Sequence, residues 1–137
     1  MSYGIAAALQ QAVYQRLSGD PALAALVGGA IYDALPPGPL PPTYVALGPE
    51  DVRARGDGSG QGAWHRFIVS VVTDEAGFHG AKQAAGAVSD ALIDAPLTLS
   101  RGRLVALHFG RARARREGTG ALRRIDLTFR ARVQETT

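Results

Sequence analysis

The run Leu122 to Val133 restricts the fold of this chain more than any other stretch. Ile125, Leu127, Phe129, Ala131 and Val133 recur at every second position, and Arg124, Asp126, Thr128, Arg130 and Arg132 fill the places between them. A period of two marks a strand with one buried and one wet face. The preceding run, Leu104 to Arg116, begins apolar and ends in Arg111, Arg113, Arg115 and Arg116, and Glu117-Gly118-Thr119-Gly120 can close the two runs into a hairpin. Val105, Leu107 and Phe109 share parity with Arg111, Arg113 and Arg115, so unbroken alternation would carry arginines to the core side. A bulge at Gly110 can flip the face. Alternatively the strand outruns the core and both of its faces are wet beyond it. The second resolution is favoured, because the partner strand also starts polar, at Arg123 and Arg124.

The rest of the chain supplies helices to cover such a sheet. Ser2 can cap a helix from Tyr3 to Leu17, whose stripe is Ile5, Leu9, Ala12, Val13 and Leu17. Asp20-Pro21 is a cap followed by proline at the first helical position, and Gly28-Gly29 ends this short second helix. Ala30 to Asp33 reads as a short strand. Five of the eight prolines crowd into Leu35 to Pro42, which predicts a stiff extended link. Thr43 to Gly48 is an apolar strand. Residues 49–62 hold alternating glycines and mixed charge, and they are expected to form a flexible loop. In the strand Ala63 to Thr73, His65, Phe67, Val69 and Val71 lie on one face and Trp64, Arg66, Ile68, Ser70 and Val72 on the other. That second face is too apolar for open water, so a helix or another subunit is expected against it. A long helix is predicted over Glu75 to Asp94 on an alanine stripe, followed by a short strand over Leu97 to Leu99. The fold class is α+β: one domain over residues 1–137, with a mostly antiparallel sheet, two main helices packed on one face and a long C-terminal β-hairpin.

Composition narrows the chemistry. The 137 residues are 46% hydrophobic, enough for a core, and contain no cysteine, which excludes disulfides, thiolate zinc sites and a cysteine nucleophile. No run has the length of a membrane span, and the first residues lack a basic segment followed by an apolar one, so a cytoplasmic origin and no membrane partner are expected. His65, His79 and His108 have no ligand-spaced partner. Asp74 and Glu75 are explained by a helix start, where acids complement the dipole. None of the serines stands in a nucleophile elbow, and Gly56 to Gly62 lacks the ending of a phosphate loop and precedes a strand. No catalytic activity, cofactor or metal is expected.

What remains is arginine. Net charge is only +3, but Lys82 is the sole lysine, so nearly all positive charge is guanidinium. GC-rich codon usage explains this blandly; recognition of carboxylate or phosphate is the functional reading. For Arg111 to Arg116 three readings stand in order: a solvated hairpin tip, salt bridges to a neighbouring protein, and direct phosphate contact. No aromatic residue interleaves the run, as nucleic-acid binding would often have it.

The order of motifs resembles a known family. Leu9-Gln10-Gln11-Ala12-Val13-Tyr14-Gln15-Arg16-Leu17, then Ile31-Tyr32-Asp33, a proline-rich link and Thr43-Tyr44-Val45-Ala46-Leu47-Gly48 lead into a strand ending near Thr73. Gly77, an alanine-rich helix ending Ala91-Leu92, Leu97-Thr98-Leu99, Leu104-Val105-Ala106-Leu107 and Leu127-Thr128-Phe129-Arg130-Ala131-Arg132 complete it. This pattern, spanning nearly the whole chain, resembles the tail completion, or tail terminator, family of long-tailed phages and phage-derived gene transfer agents. The resemblance implies a non-enzymatic structural protein whose copies form a ring, usually a hexamer. Such a ring would cap the major tail tube protein and join it to a head-side connector or stopper, with DNA passing through the lumen unread. It also implies assembly in the cytoplasm, then a place at the head-tail junction. A small arginine-rich nucleic-acid-binding module is the alternative. The expected subunit or partner interface is Arg53, Arg55, Trp64, Ile68, Arg111, Arg113, Arg115 and Arg116, with Glu50, Asp51 and Asp57 as a candidate acidic complement.

Overall fold

The period-two run is built as one of the inner strands of a five-stranded sheet, and the helices pack on its apolar side. The computed structural model describes residues 3–54, 62–93, 95–118 and 121–135. In chain order the elements are α1 (Ala6–Ser18), α2 (Pro21–Val27), β1 (Ile31–Tyr32), β2 (Thr43–Ala54), β3 (Gly62–Thr73), α3 (His79–Leu92), β4 (Arg103–Glu117) and β5 (Leu122–Gln134). The sheet order is β1-β2-β3-β5-β4. Only β1 and β2 pair parallel; every other pairing is antiparallel, and β4–β5 is the long C-terminal hairpin. This is the expected α+β architecture.

One core joins the helices to the sheet. Ile5, Leu9, Val13 and Leu17 descend from α1, and Ala81, Ala84, Val88 and Leu92 from α3, onto Val69, Val71, Leu127 and Phe129. The small side chains of α3 let it approach the sheet closely. Phe129 is fully buried, with Phe67 stacked 5.7 Å away and Phe109 edge-on at 6.0 Å. A smaller cluster of Ala30, Tyr44 and Val72, with Leu40 of the proline link packed against it, closes one end of the sheet.

Local signals set most boundaries. The Asp20 carboxylate accepts from the Leu23 amide at 2.9 Å, and Pro21 starts α2. Gly28 ends it at φ 62°, a conformation that favours glycine. Other boundaries differ from expectation. α1 begins at Ala6 with Ile5 as an uncapped N-terminus, and Ser2 lies outside the described residues. α3 starts at His79 with no acid in its first turn. Asp74 and Glu75 sit in the turn before it, where the Glu75 amide donates to Thr73 Oγ1 at 3.2 Å, so they do not cap the helix. Residues 97–99 form no strand: Leu99 tucks into the core, but no neighbouring strand pairs with the segment.

The largest correction concerns the expected loop over 49–62. β2 continues through Ala54, paired to β3 from Glu50 opposite Phe67 to Ala54 opposite Ala63. Gly48 and Pro49 are absorbed by a register shift between Leu47 and Glu50. Proline is tolerated there because the far edge of β2 is open beyond its two-residue pairing with β1. Residues 55–61, the rest of that expected loop, lie outside the described residues.

Candidate interface: the arginine face of the sheet

The strand registers decide which side chains share a face. β5 presents Arg124, Asp126, Thr128, Arg130 and Arg132 away from the helices. Opposite them β3 contributes Val72, Ser70, Ile68, Arg66 and Trp64, and β2 adds Asp51 opposite Arg66 and Arg53 opposite Trp64. On the other flank β4 adds Ala106 opposite Arg132, His108 opposite Arg130, Arg111 opposite Thr128, Arg113 opposite Asp126 and Arg115 opposite Arg124. Among the described residues, the only helical residue packed at this face is Val27 of α2, at the end near Tyr44 and Val72. The apolar second face of β3 is therefore bare in the single chain, apart from the end closed by Tyr44, Val72 and Leu40.

Gly110 makes the assembly possible. β4 shifts register between Phe109 and Arg111, so Phe109 still opposes Phe129 while Arg111 opposes Thr128. Gly110 is the extra residue of a bulge, and a side chain there would sit 3.1 Å from the Thr128 carbonyl. Both resolutions hold: the bulge turns Arg111, Arg113 and Arg115 to the bare face and Ala112 and Ala114 toward α3, and every residue from His108 to Arg116 is exposed, so the strand also outruns the core as expected. These arginines are no hairpin tip, since the β5 residues they oppose are themselves paired to β3. On the α3 side, β4 is incompletely covered. Phe109 keeps 43% exposure, and with Ala112 and Ala114 it faces Ala85 and Gly86 of α3 across an open apolar groove.

Among the described residues the charge on the bare face is one-sided: eight arginines against Asp51 and Asp126. Asp126 is its organiser. It accepts from Ser70 Oγ at 2.6 Å and lies 3.5 Å from both Arg115 and Arg124. Burial opposes the charge of Arg124, but the carboxylates of Glu117, at 3.1 Å, and Asp126 outweigh it and hold the guanidinium above its ordinary pKa. Trp64 lies beneath Arg130, whose guanidinium carbon is 4.4 Å from the ring centre, with that of Arg132 at 5.9 Å. The Nε of Arg132 is buried without a hydrogen-bond partner among the described residues. Arg53, Arg66, Arg111 and Arg113 make no ion pair with any described residue.

Of the expected interface residues, Arg53, Trp64, Ile68, Arg111, Arg113 and Arg115 thus share one surface. Arg116 does not. It opposes Arg123, which lies over the Phe78 ring and donates to the Glu75 carbonyl at 2.9 Å on the helix side. Arg55 lies outside the described residues, as does Asp57. Glu50 and Asp51 form no joint acidic patch: Asp51 sits among the arginines, while Glu50 points to the helix side and accepts from the Tyr3 hydroxyl. Sequence reasoning missed Arg66, Arg124, Arg130 and Arg132 as members of the surface. Their signal was available in the wet parity of β5 and in the parity that Arg66 shares with Trp64 and Ile68.

One polar group is buried on the helix side. His65 is fully enclosed, neither ring nitrogen has a hydrogen-bond partner among the described residues, and Glu50 Oε2 lies 3.9 Å from Nδ1. Burial pushes the His65 pKa down and that of Glu50 up. Among the described residues there is no group of three or more acidic, histidine or cysteine side chains placed to hold a metal ion, and no helix is long and apolar enough to cross a membrane.

Known proteins resemble this chain in both sequence and shape. The family model described as tail completion protein gp17 matches residues 11–134. A solved chain from the virion of a native gene transfer agent particle superimposes with a TM-score of 0.93 at 64% identity, covering 97% of this chain and 99% of that one. No curated protein matches. With almost its whole length matched by the family and its fold shared at this identity, the chain belongs to the tail completion protein gp17 family.

Proposed function

We propose that copies of this chain form a ring, of six subunits, that ends the tail tube and joins it to the head-side connector or stopper of a phage-like particle. The single observation that carries the reading is the 64% identity, over nearly the full length of both chains, to a component of a gene transfer agent virion. Membership of a tail completion family supports the broader part, a structural role in virion assembly without catalysis. The major tail tube protein lies on one side of the ring and the connector on the other. DNA passes through the lumen without being read. The chain assembles in the cytoplasm and ends at the head-tail junction.

The bare arginine face suits this role, because a ring in a stack must present contact surface to its neighbours as well as to itself. The alternative, a nucleic-acid-binding module, draws on the same charge. Its usual aromatic partner is not free, since the one tryptophan is covered by Arg130. Mass measurement in solution, paired with a test of whether the protein caps purified tail tubes, decides the matter. A ring in solution, or one formed only on the tube, is the expected result. A chain that stays monomeric and leaves tubes uncapped would overturn the reading.

A further inference from the structure

Resting on that structural role, we infer that the bare sheet face docks an acidic surface of a different virion protein, and that it is not the contact between copies of this chain. Charge is the first ground. Among the described residues eight arginines share this face with two carboxylates, and Arg53, Arg66, Arg111 and Arg113 have no ionic partner there. Such a surplus attracts an anionic partner and repels a second face like itself.

The second ground is that this chain has little acid left to offer. Asp20 caps α2, Asp33 accepts from Gln10, and Glu50 accepts from Tyr3. Glu117 pairs with Arg124, Asp126 is held within the arginine face, and Glu135 pairs with Arg101. Glu75 sits within reach of the Thr43 and Thr73 hydroxyls. Of the described carboxylates this leaves Asp51, which is on the arginine face itself, with Asp74 and Asp90. The described residues of a neighbouring copy therefore supply few unengaged carboxylates to lay against it.

The third ground separates protein from nucleic acid. The face mixes arginine with Trp64, Ile68 and Thr128, the combination of guanidinium, aromatic and aliphatic groups enriched at protein interfaces. Asp126 fixes Arg115 and Arg124 in place within that mixed surface.

Two measurements test this. The double variant Arg66→Glu/Arg111→Glu should keep the parent's thermal transition and its solution mass, while its yield of completed particles falls about tenfold or more, as loss of one interface hot spot requires. Normal completion overturns the inference, and so does loss of the ring itself, which would make the face a contact between copies. Failure of the ring proposal shows separately, in the mass and capping of the unaltered chain. Second, a photo-reactive phenylalanine analogue at Ile68 in purified particles should cross-link to an Asp- and Glu-rich segment of another virion protein, identified by mass spectrometry. Cross-links to DNA, to another copy of this chain, or to no polymer at all overturn it.

Discussion

The two faces of this sheet run along the same strands, one residue out of phase, and obey different rules. On the helix side, side chains are mostly apolar and, apart from the open groove beside Phe109, shut off from water, and Phe129 sits between two other phenylalanine rings. On the bare side, charged and polar side chains dominate, most of them exposed, with Arg115 and Arg124 held by Asp126, Arg124 also by Glu117, and Arg130 set over Trp64. Apolar contact has the same effect whatever its neighbour, so within one chain the covered face is closed except at the groove beside Phe109. Guanidinium heads need partners of opposite charge, and among the described residues Arg53, Arg66, Arg111 and Arg113 have none. The first face explains why the chain folds, and the second points outside it.

Substitutions should therefore separate the two faces by energy. The largest loss is expected at Phe129→Ala, about 3–5 kcal/mol of unfolding free energy by denaturant titration. A loss below about 1 kcal/mol would mean that the ring cluster is not the core's centre. Deleting Gly110 comes next. Without the bulge, either Leu107 and Phe109 leave the core or Arg111, Arg113 and Arg115 turn toward α3. We expect a cost of about 3 kcal/mol, the scale of losing one buried leucine. An unchanged transition would mean that the bulge does not separate the faces.

Asp126→Ala removes the carboxylate at the middle of the bare face, with its contacts to Ser70, Arg115 and Arg124. About 1.5–3 kcal/mol should be lost, the range for a hydrogen bond to a charged group. Smallest on stability is Arg66→Glu, expected within about 0.5 kcal/mol as for an exposed site away from packing. Its effect should appear in particle assembly instead. A large stability loss there would blur the division between the faces.

His65 offers a pH test of the covered side. Its folded pKa is lowered from 6.5, so the unfolded chain takes up the proton first as pH falls. Its contribution is complete above that ordinary value and is lost as pH drops below it toward the folded pKa. Glu50, raised from 4.5, acts in the opposite sense: its contribution is present below 4.5 and lost as pH rises through its folded pKa. His65 should dominate because it is fully enclosed and Glu50 is not. Thermal melts between pH 7 and 5 should fall for the parent and flatten for His65→Leu. Parallel slopes would show that another group titrates.

Much of this was legible in residue order. Alternation placed β5 and the inward parity of β3 correctly, and Asp20-Pro21 marked α2, because each rests on backbone geometry local to the segment. Pro49 and its glycine neighbours misled. They signalled a break, but a bulge on an open strand edge accommodated them, and that edge exists only once β1 has proved too short to cover β2. Residues 97–99 misled in the other direction: they have strand-forming side chains, but no neighbouring edge is within reach to pair with them.

The arginines divide along the same line. The sequence by itself determined their number, their scarcity of lysine companions and the strict parity of Arg124, Arg130 and Arg132, since parity in an unbroken strand follows from its period of two. Tertiary structure alone decided that Arg53 and Arg66, from β2 and β3, would lie in the same plane as Arg111, Arg113 and Arg115, and that Arg116 would not. That outcome depends on strand order, on cross-strand register and on one extra residue at Gly110. These are set by pairing between segments far apart in the chain, and no local pattern encodes them.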